Sequence, residues 1–302
     1  MVGIRPNAKW SKHGITVAGG NGKGSETNQL SGPLSLYVDD DQTVYVADYY
    51  NHRIVEWKPG ATNGTVVAGG NGAGNAAHQL NCPRDVIIDK DSNSLIISDY
   101  RNGRVVRWPR RNGTLGETII SNIYCWGLTM DDIGYLYVVD HEKHEVRRHK
   151  IGDTQGTVVA GGNGEGHRLD QLSSPHYVFV DQDHSVYVSD YDNYRVMKWY
   201  EGAKQGIVVA GGQGAGNNLR QLNGPQGVVV DQFGTVYVAD CYNHRIMRWP
   251  EGATQGSVII GGKGQGAHPN QLSVPFGLSF DRHGSLYVAE HYNHRVQKFN
   301  IK

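Results

Sequence analysis

Thr235–Trp249 reads TVYVADCYNHRIMRW. Two short alternating runs rich in Val, Ile, Tyr and Met flank Asp240-Cys-Tyr-Asn-His-Arg245. That is the pattern of two strands joined by a tight turn. The turn recurs along the chain. Its leading acid falls at Asp48, Asp99, Asp140, Asp190, Asp240 and Glu290, in steps of 51, 41, 50, 50 and 50 residues. A proline stands about 15 residues upstream at Pro33, Pro83, Pro175, Pro225 and Pro275, with Cys125 in its place once. Self-similarity at this period means a propeller or a solenoid.

The content of one unit decides between them. Around Thr235–Trp249 lie a short apolar run, Gly227–Asp231 (GVVVD), and a further run, Ser257–Ile260 (SVII), after a loop holding Gly252 and Gly256. Gly, Pro, Asn and Asp punctuate all four runs, and no segment shows sustained helical periodicity with caps. Four strands per unit and six units predict an all-β fold, a six-bladed β-propeller. The expected blades span about 31–70, 81–121, 123–162, 173–212, 223–262 and 273–299. The last unit stops after its third strand, and Gly14–Gly20 (GITVAGG) resembles Gly256–Gly262 (GSVIIGG). The N-terminal strand is therefore expected to complete the last blade and close the ring, which removes exposed sheet edges. All 302 residues are consumed by this plan, which predicts one domain.

Composition narrows the function classes. Lys and Arg number 29 against 29 Asp and Glu, so no net field favours a polyanion. No apolar stretch reaches the length of a spanning helix, and the N-terminus lacks an apolar signal region. The expected partner is neither membrane nor nucleic acid. An excised domain of a larger protein is compatible with this, a monomer is expected, and the cellular location stays open. Cys82, Cys125 and Cys241 form no even framework, and buried free thiols are the preferred reading over a Cys82–Cys125 disulfide. The sequons Asn63-Gly64-Thr65 and Asn112-Gly113-Thr114 are also ordinary turn chemistry, so they lend an extracellular location little support.

Asn51-His52-Arg53, Asn243-His244-Arg245 and Asn293-His294-Arg295, with the variants Asn102-Gly103-Arg104 and Asn193-Tyr194-Arg195, resemble the NHL-repeat family over essentially the whole chain. The resemblance implies the propeller and is nearly silent on function. Similar members include noncatalytic recognition domains, sensor domains of kinases and peptidyl-hydroxyglycine amidating lyases.

The repeated acid and arginine read as architecture. Arg53, Arg104, Arg195, Arg245 and Arg295 are expected between blades, paired with Asp48, Asp99, Asp190, Asp240 and Glu290 and with backbone carbonyls. The third unit departs, with Lys143 for Asn and Glu145 for Arg, so Lys143 or Arg147 is expected to answer Asp140. Five loops fit G-G-x-G-x-G: Gly19–Gly24, Gly69–Gly74, Gly161–Gly166, Gly211–Gly216 and Gly261–Gly266. No helix follows any of them, which excludes a phosphate fingerprint, and no Asp follows at the calcium-repeat spacing. Five copies mean backbone turning, with the following Gln-Leu as anchor.

Function belongs where the units differ. The two residues after each proline position are Leu34-Ser35, Arg84-Asp85, Trp126-Gly127, His176-Tyr177, Gln226-Gly227 and Phe276-Gly277, and they should ring the channel mouth. Tyr49, Tyr100, His141, Tyr191, Tyr242, His291 and their neighbours lie in the second-to-third strand loops of the same face. Unit three also lacks the glycine loop, which predicts a notch bounded by Tyr124, Trp126, Arg84 and His176. The candidate ligand-binding residues are Arg84, Asp85, Tyr124, Trp126, His176, Tyr177, Gln226 and Phe276, rich in hot-spot types. No catalytic residue, cofactor or metal is assigned. Zinc needs about three convergent ligands; the ring offers His176, with His141 and His291 placed in outer loops. The predicted function is noncatalytic recognition of a protein or peptide at the mouth. One alternative is a propeller enzyme resembling the amidating lyases or a hydrolase: Arg84 and Tyr177 fit the lyases in type, but the histidines do not. The other is single-stranded RNA binding, which the near-neutral face disfavours.

Overall fold

In the computed structural model, residues 2–5, 7–153 and 155–302 are described. Six four-stranded antiparallel sheets stand around an axis. The first blade shows the plan: Pro33–Val38 is innermost, followed outward by Val44–Asp48, Arg53–Trp57 and Thr65–Gly69. The innermost strands of neighbouring blades pack on one another around the axis. The other innermost strands are Pro83–Asp89, Cys125–Met130, Pro175–Val180, Pro225–Val230 and Pro275–Phe280. A strand can begin at proline because its missing N–H is not needed at the first position.

The core lies between blades. Each second strand contributes alternating Val, Ile, Leu and Tyr, so one set faces each neighbouring blade. Tyr45, Tyr137, Tyr187, Tyr237 and Tyr287 are buried in this way, as are Trp57, Trp108, Trp199 and Trp249 on the third strands. The third blade has His149 and the sixth has Phe299 at the tryptophan position, both buried.

The ring closes through the N-terminus. Ile15–Gly19 pairs antiparallel with Arg295–Phe299, Ile15 opposite Lys298 and Gly19 opposite Arg295. The preceding segment adds packing that the sequence reading did not anticipate. Ile4 and Trp10 are buried, Trp10 lies edge-on to Tyr237, and its indole nitrogen donates to the Gly284 carbonyl at 2.9 Å.

The repeated arginines sit within their own blade and fasten the loop that leads into it, instead of bridging two sheets. Arg53 stands opposite Asp48 in register. Its Nε donates to Asp48 at 2.7 Å, and its other nitrogens reach the carbonyls of Ser25, Glu26 and Gln29. Asp99–Arg104, Asp190–Arg195, Asp240–Arg245 and Glu290–Arg295 repeat the pair at 2.6–2.7 Å. In the third blade Lys143 approaches Asp140 at 3.6 Å, whereas Arg147 pairs with Glu145 at 2.5 Å. Arg147 therefore does not serve Asp140; the nearer carboxylate captures it. The glutamines after the glycine loops do anchor them, Gln29 donating to the Asn21 carbonyl at 2.9 Å. Cys82, Cys125 and Cys241 are buried free thiols.

Candidate functional site

A register shift follows each innermost strand's first residue, between Pro83 and Val86 or Pro175 and Val178, for example. Such bulges re-aim side chains. In five blades it releases two consecutive residues at the mouth end, and in the first blade Leu34 alone, with Ser35 opposite Ala47; these are the pairs that differ between repeats. The second residue of each pair meets the next blade closely. A Cβ on Gly127, Gly227 or Gly277 would lie 2.5–2.7 Å from backbone atoms of the neighbouring bulge. The remaining second positions are Ser35, Asp85 and Tyr177. Tyr177 reaches across the ring and donates to the Leu34 carbonyl at 2.8 Å.

Above this level three first residues of the pairs, Arg84, Trp126 and His176, form a stack. The Arg84 guanidinium lies 3.4 Å from the Trp126 ring centre and 3.9 Å from that of Tyr100. Trp126 and His176 stack at 3.5 Å with 8° between their planes, and Tyr191 lies on the far side of His176 at 4.3 Å. The Gln226 amide oxygen lies 2.9 Å from His176 Nδ1, and Tyr191 and Tyr242 share a hydrogen bond at 2.9 Å. Tyr124, 40% exposed, stands 5.9 Å from Tyr100.

The structure thus gathers Arg84, Trp126, His176 and Gln226 in one cluster, with Tyr124 at its edge. Phe276 lies on another side of the ring, 5.2 Å from His291. The notch is filled, not open, because these flat side chains stack on one another; Trp126 is only 9% exposed. Asp85 turns away from the mouth. It accepts from Ser35 Oγ at 2.5 Å, Val86 N at 2.8 Å and Leu128 N at 2.7 Å. Burial without a counter-charge pushes its carboxyl up to about 7, despite these three donors.

His141 and His291 are not in outer loops. The residue after each repeated acid opens a tight turn, a single 3-10 turn in four blades, and points inward. This makes a second ring of Tyr49, Tyr100, His141, Tyr191, Cys241 and His291. His141 lies 5.0 Å from Trp126 and 5.4 Å from His176. Burial lowers the pKa of all three mouth histidines, with Arg84 adding to the effect, and takes His291 down to about 4. At neutral pH they are uncharged acceptors or donors. No cluster of three or more His, Cys, Asp or Glu suited to a metal occurs among the described residues. The inward aim of the second ring was available only as a list of turn residues; the sequence carries no sign of which residue of the turn faces the axis.

Concavities, one of about 530 Å³ bounded by Tyr137, Arg148, His184 and Trp199, open between outer strands of neighbouring blades. Their counterparts recur around the ring from repeat residues, so they belong to the architecture. No helix among the described residues is long and apolar enough to cross a membrane.

Solved structures share this fold. The chain is similar to a structural genomics protein of unknown function from Bacteroides thetaiotaomicron, at 16% identity and a TM-score of 0.75, over 96% of this chain and 76% of that one. It is equally similar to an auxiliary nutrient binding protein from the same organism, at 16% identity and 0.74, over 98% and 77%. Virginiamycin B lyase from Staphylococcus aureus aligns at 12% identity and 0.57, over 97% and 99%. Identities this low show the fold alone. No curated protein sequence matches the chain. Residues 30–57, 222–249 and 272–299 match the model of the NHL repeat. With six blades of one design, three of them carrying the matched repeat, the chain is an NHL-repeat β-propeller.

Proposed function

We propose that the chain is one noncatalytic recognition domain, acting as a monomer, that binds a protein or peptide on its mouth face. The observation that supports this most is the stack of Arg84, Trp126, His176 and Tyr191, with Tyr100 edge-on to Trp126 beside it. It is built from the residue types that dominate binding hot spots, at positions where the scaffold demands no particular side chain. Stacked rings hold one another still, so a partner meets a surface that loses little freedom on binding. Tyr124, Arg84 and the exposed edges of Tyr100 and Phe276 make the contacts. Asp85, Tyr177, His176 and Gln226 support them from below: Tyr177 and Asp85 tie blades together across the channel, and Gln226 fixes His176.

A displayed random-peptide library selected on the wild type tests this. Trp126 is nearly buried, so truncating it would also open a cavity; Tyr124→Ala combined with Arg84→Met is the cleaner variant. Selected peptides are expected to bind the wild type at least ten times more tightly than this variant, at unchanged melting temperature, since central anchors are each worth about 2 kcal/mol. Peptides that bind both forms equally place the recognition surface elsewhere.

A further inference from the structure

Arg84 is the only cation in the first ring of the mouth, and nothing described in the protein answers its charge. It forms no ion pair and donates no hydrogen bond to any described residue, and its Nε is buried without a partner. Trp126, whose ring centre lies 3.4 Å from the guanidinium carbon, also leaves its buried indole nitrogen without an acceptor. Folded proteins rarely leave two adjacent buried donors unanswered. The obvious counter-ion is the next residue, Asp85, but its carboxylate is spent on Ser35, Val86 and Leu128. The three neighbouring histidines are neutral. Contact with Trp126, Tyr100 and, at 5.3 Å, Tyr49 offsets part of the cost of holding a partly buried cation.

The stack also defines what kind of ligand would fit. Trp126 and Tyr100 stand at 69° to each other beside the guanidinium, whose N–H groups lie in its own plane and point outward from its edge. An acceptor must approach edge-on, and two coplanar oxygens match that fork best. One positive charge among neutral groups balances one negative charge; a phosphate dianion would leave a charge uncompensated in a half-buried site. Tyr124 and the Tyr100 edge flank the approach and favour a carboxylate carried on an apolar or aromatic group.

We propose that Arg84 forms a carboxylate-binding site, in which the polypeptide recognised at the mouth is held by a free C-terminus or an acidic side chain seated edge-on against the stacked guanidinium. This rests on the recognition reading above.

The test titrates N-acetylphenylalanine, its amide and phenyl phosphate into the intact protein. Binding is followed through the nitrogen-bound proton signals of Arg84 Nε and Trp126 Nε1, assigned with Arg84→Lys and Trp126→Phe. The acid is expected to shift both signals saturably and to bind at least ten times more tightly than the amide or the phosphate. Arg84→Met should abolish the shift at Trp126. Arg84→Lys should weaken binding at least tenfold, because an ammonium lacks the planar fork; it also decides the matter if Arg84→Met does not fold. Pentapeptides with a free or amidated C-terminus, with and without an internal Asp, separate the two sources of carboxylate. Equal binding of acid and amide, tighter binding of the phosphate, or binding that survives loss of Arg84 would overturn the site. Acid binding without any mouth-dependent peptide would retire the recognition reading and keep the site. Mouth-dependent peptides with no acid preference would do the reverse.

Discussion

Arg245 meets four acceptors at once: Asp240 at 2.6 Å and the carbonyls of Asn217, Asn218 and Gln221 at 2.7–3.2 Å. Asp240 is fully buried, and burial raises its carboxyl above the ordinary range even with this partner and the Asn243 amide beside it. Removing the guanidinium leaves a buried carboxylate and three carbonyls without their donor. Arg245→Ala is expected to cost about 3–5 kcal/mol in denaturant unfolding, the range for breaking a buried pair. Arg168→Ala, which removes the exposed Arg168–Asp170 contact, should leave the unfolding midpoint nearly unchanged. A loss for Arg245→Ala as small as that for Arg168→Ala would remove the structural role. This role was legible because it repeats: five arginines at one register carry one meaning. The mouth was legible only as a set of positions that break the repeat. Asp85 shows why the rest was hidden. Its partner Ser35 lies 50 residues away and Leu128 lies 43 away, so no local pattern could say that its carboxylate turns from the mouth.

Between blades, the repeated histidine works as a latch. His52 adopts a left-handed backbone conformation (φ 53°), and its Nδ1 accepts from Cys82 N at 3.1 Å, just before the next blade's first proline. His144, His244 and His294 accept from Ser174, Val274 and Gly32 in the same way, at 3.0–3.2 Å. Accepting at Nδ1 requires that nitrogen to be unprotonated. Burial lowers the pKa of His52, His244 and His294. The unfolded chain therefore takes up protons first. The stability from these latches is full above about pH 6.5 and is lost as pH falls below it. Asp85 has the opposite sign: its raised pKa makes the fold lose stability as pH rises from about 4 to about 7. The difference between wild type and variant isolates the latch. His244→Asn keeps an acceptor and tolerates the left-handed conformation without titrating. Wild type minus His244→Asn stability, from urea unfolding, should shrink between pH 7.5 and 5.5, with a slope no steeper than about 1.4 kcal/mol per pH unit. A difference independent of pH would mean the imidazole is not the acceptor. The sequence marks this histidine as a repeat residue beside the arginine. It does not reveal that the ring serves the following blade, because that contact spans 30 residues and depends on how two sheets are set against each other.

At the scale of the ring, six sheets of one design would leave two open edges unless the ends meet. The strand Ile15–Gly19 covers the edge of Arg295–Phe299, and the segment before it packs Ile4 and Trp10 under the fifth and sixth blades. The strand was visible in the sequence because Gly14–Gly20 repeats a pattern with four other copies. The packing of Ile4 and Trp10 was not, since nothing in the other units corresponds to it. Deleting residues 1–20 removes both contributions. Truncating a buried Trp or Ile side chain costs about 2–5 kcal/mol each, and a chain of this size loses about 2 °C of melting temperature per kcal/mol. The deletion should therefore lower the midpoint by roughly 10 °C or more. It should also expose a strand edge, a template for pairing with another copy, so the truncated chain should self-associate in size-exclusion chromatography. Trp10→Ala separates the two effects: it opens a cavity and lowers the midpoint, yet keeps Ile15–Gly19 in place and should stay a single species. If the truncated chain melted at the wild-type temperature, the ring would not be closed by this strand. If Trp10→Ala associated as readily as the truncation, loss of packing and not an open edge would be the cause.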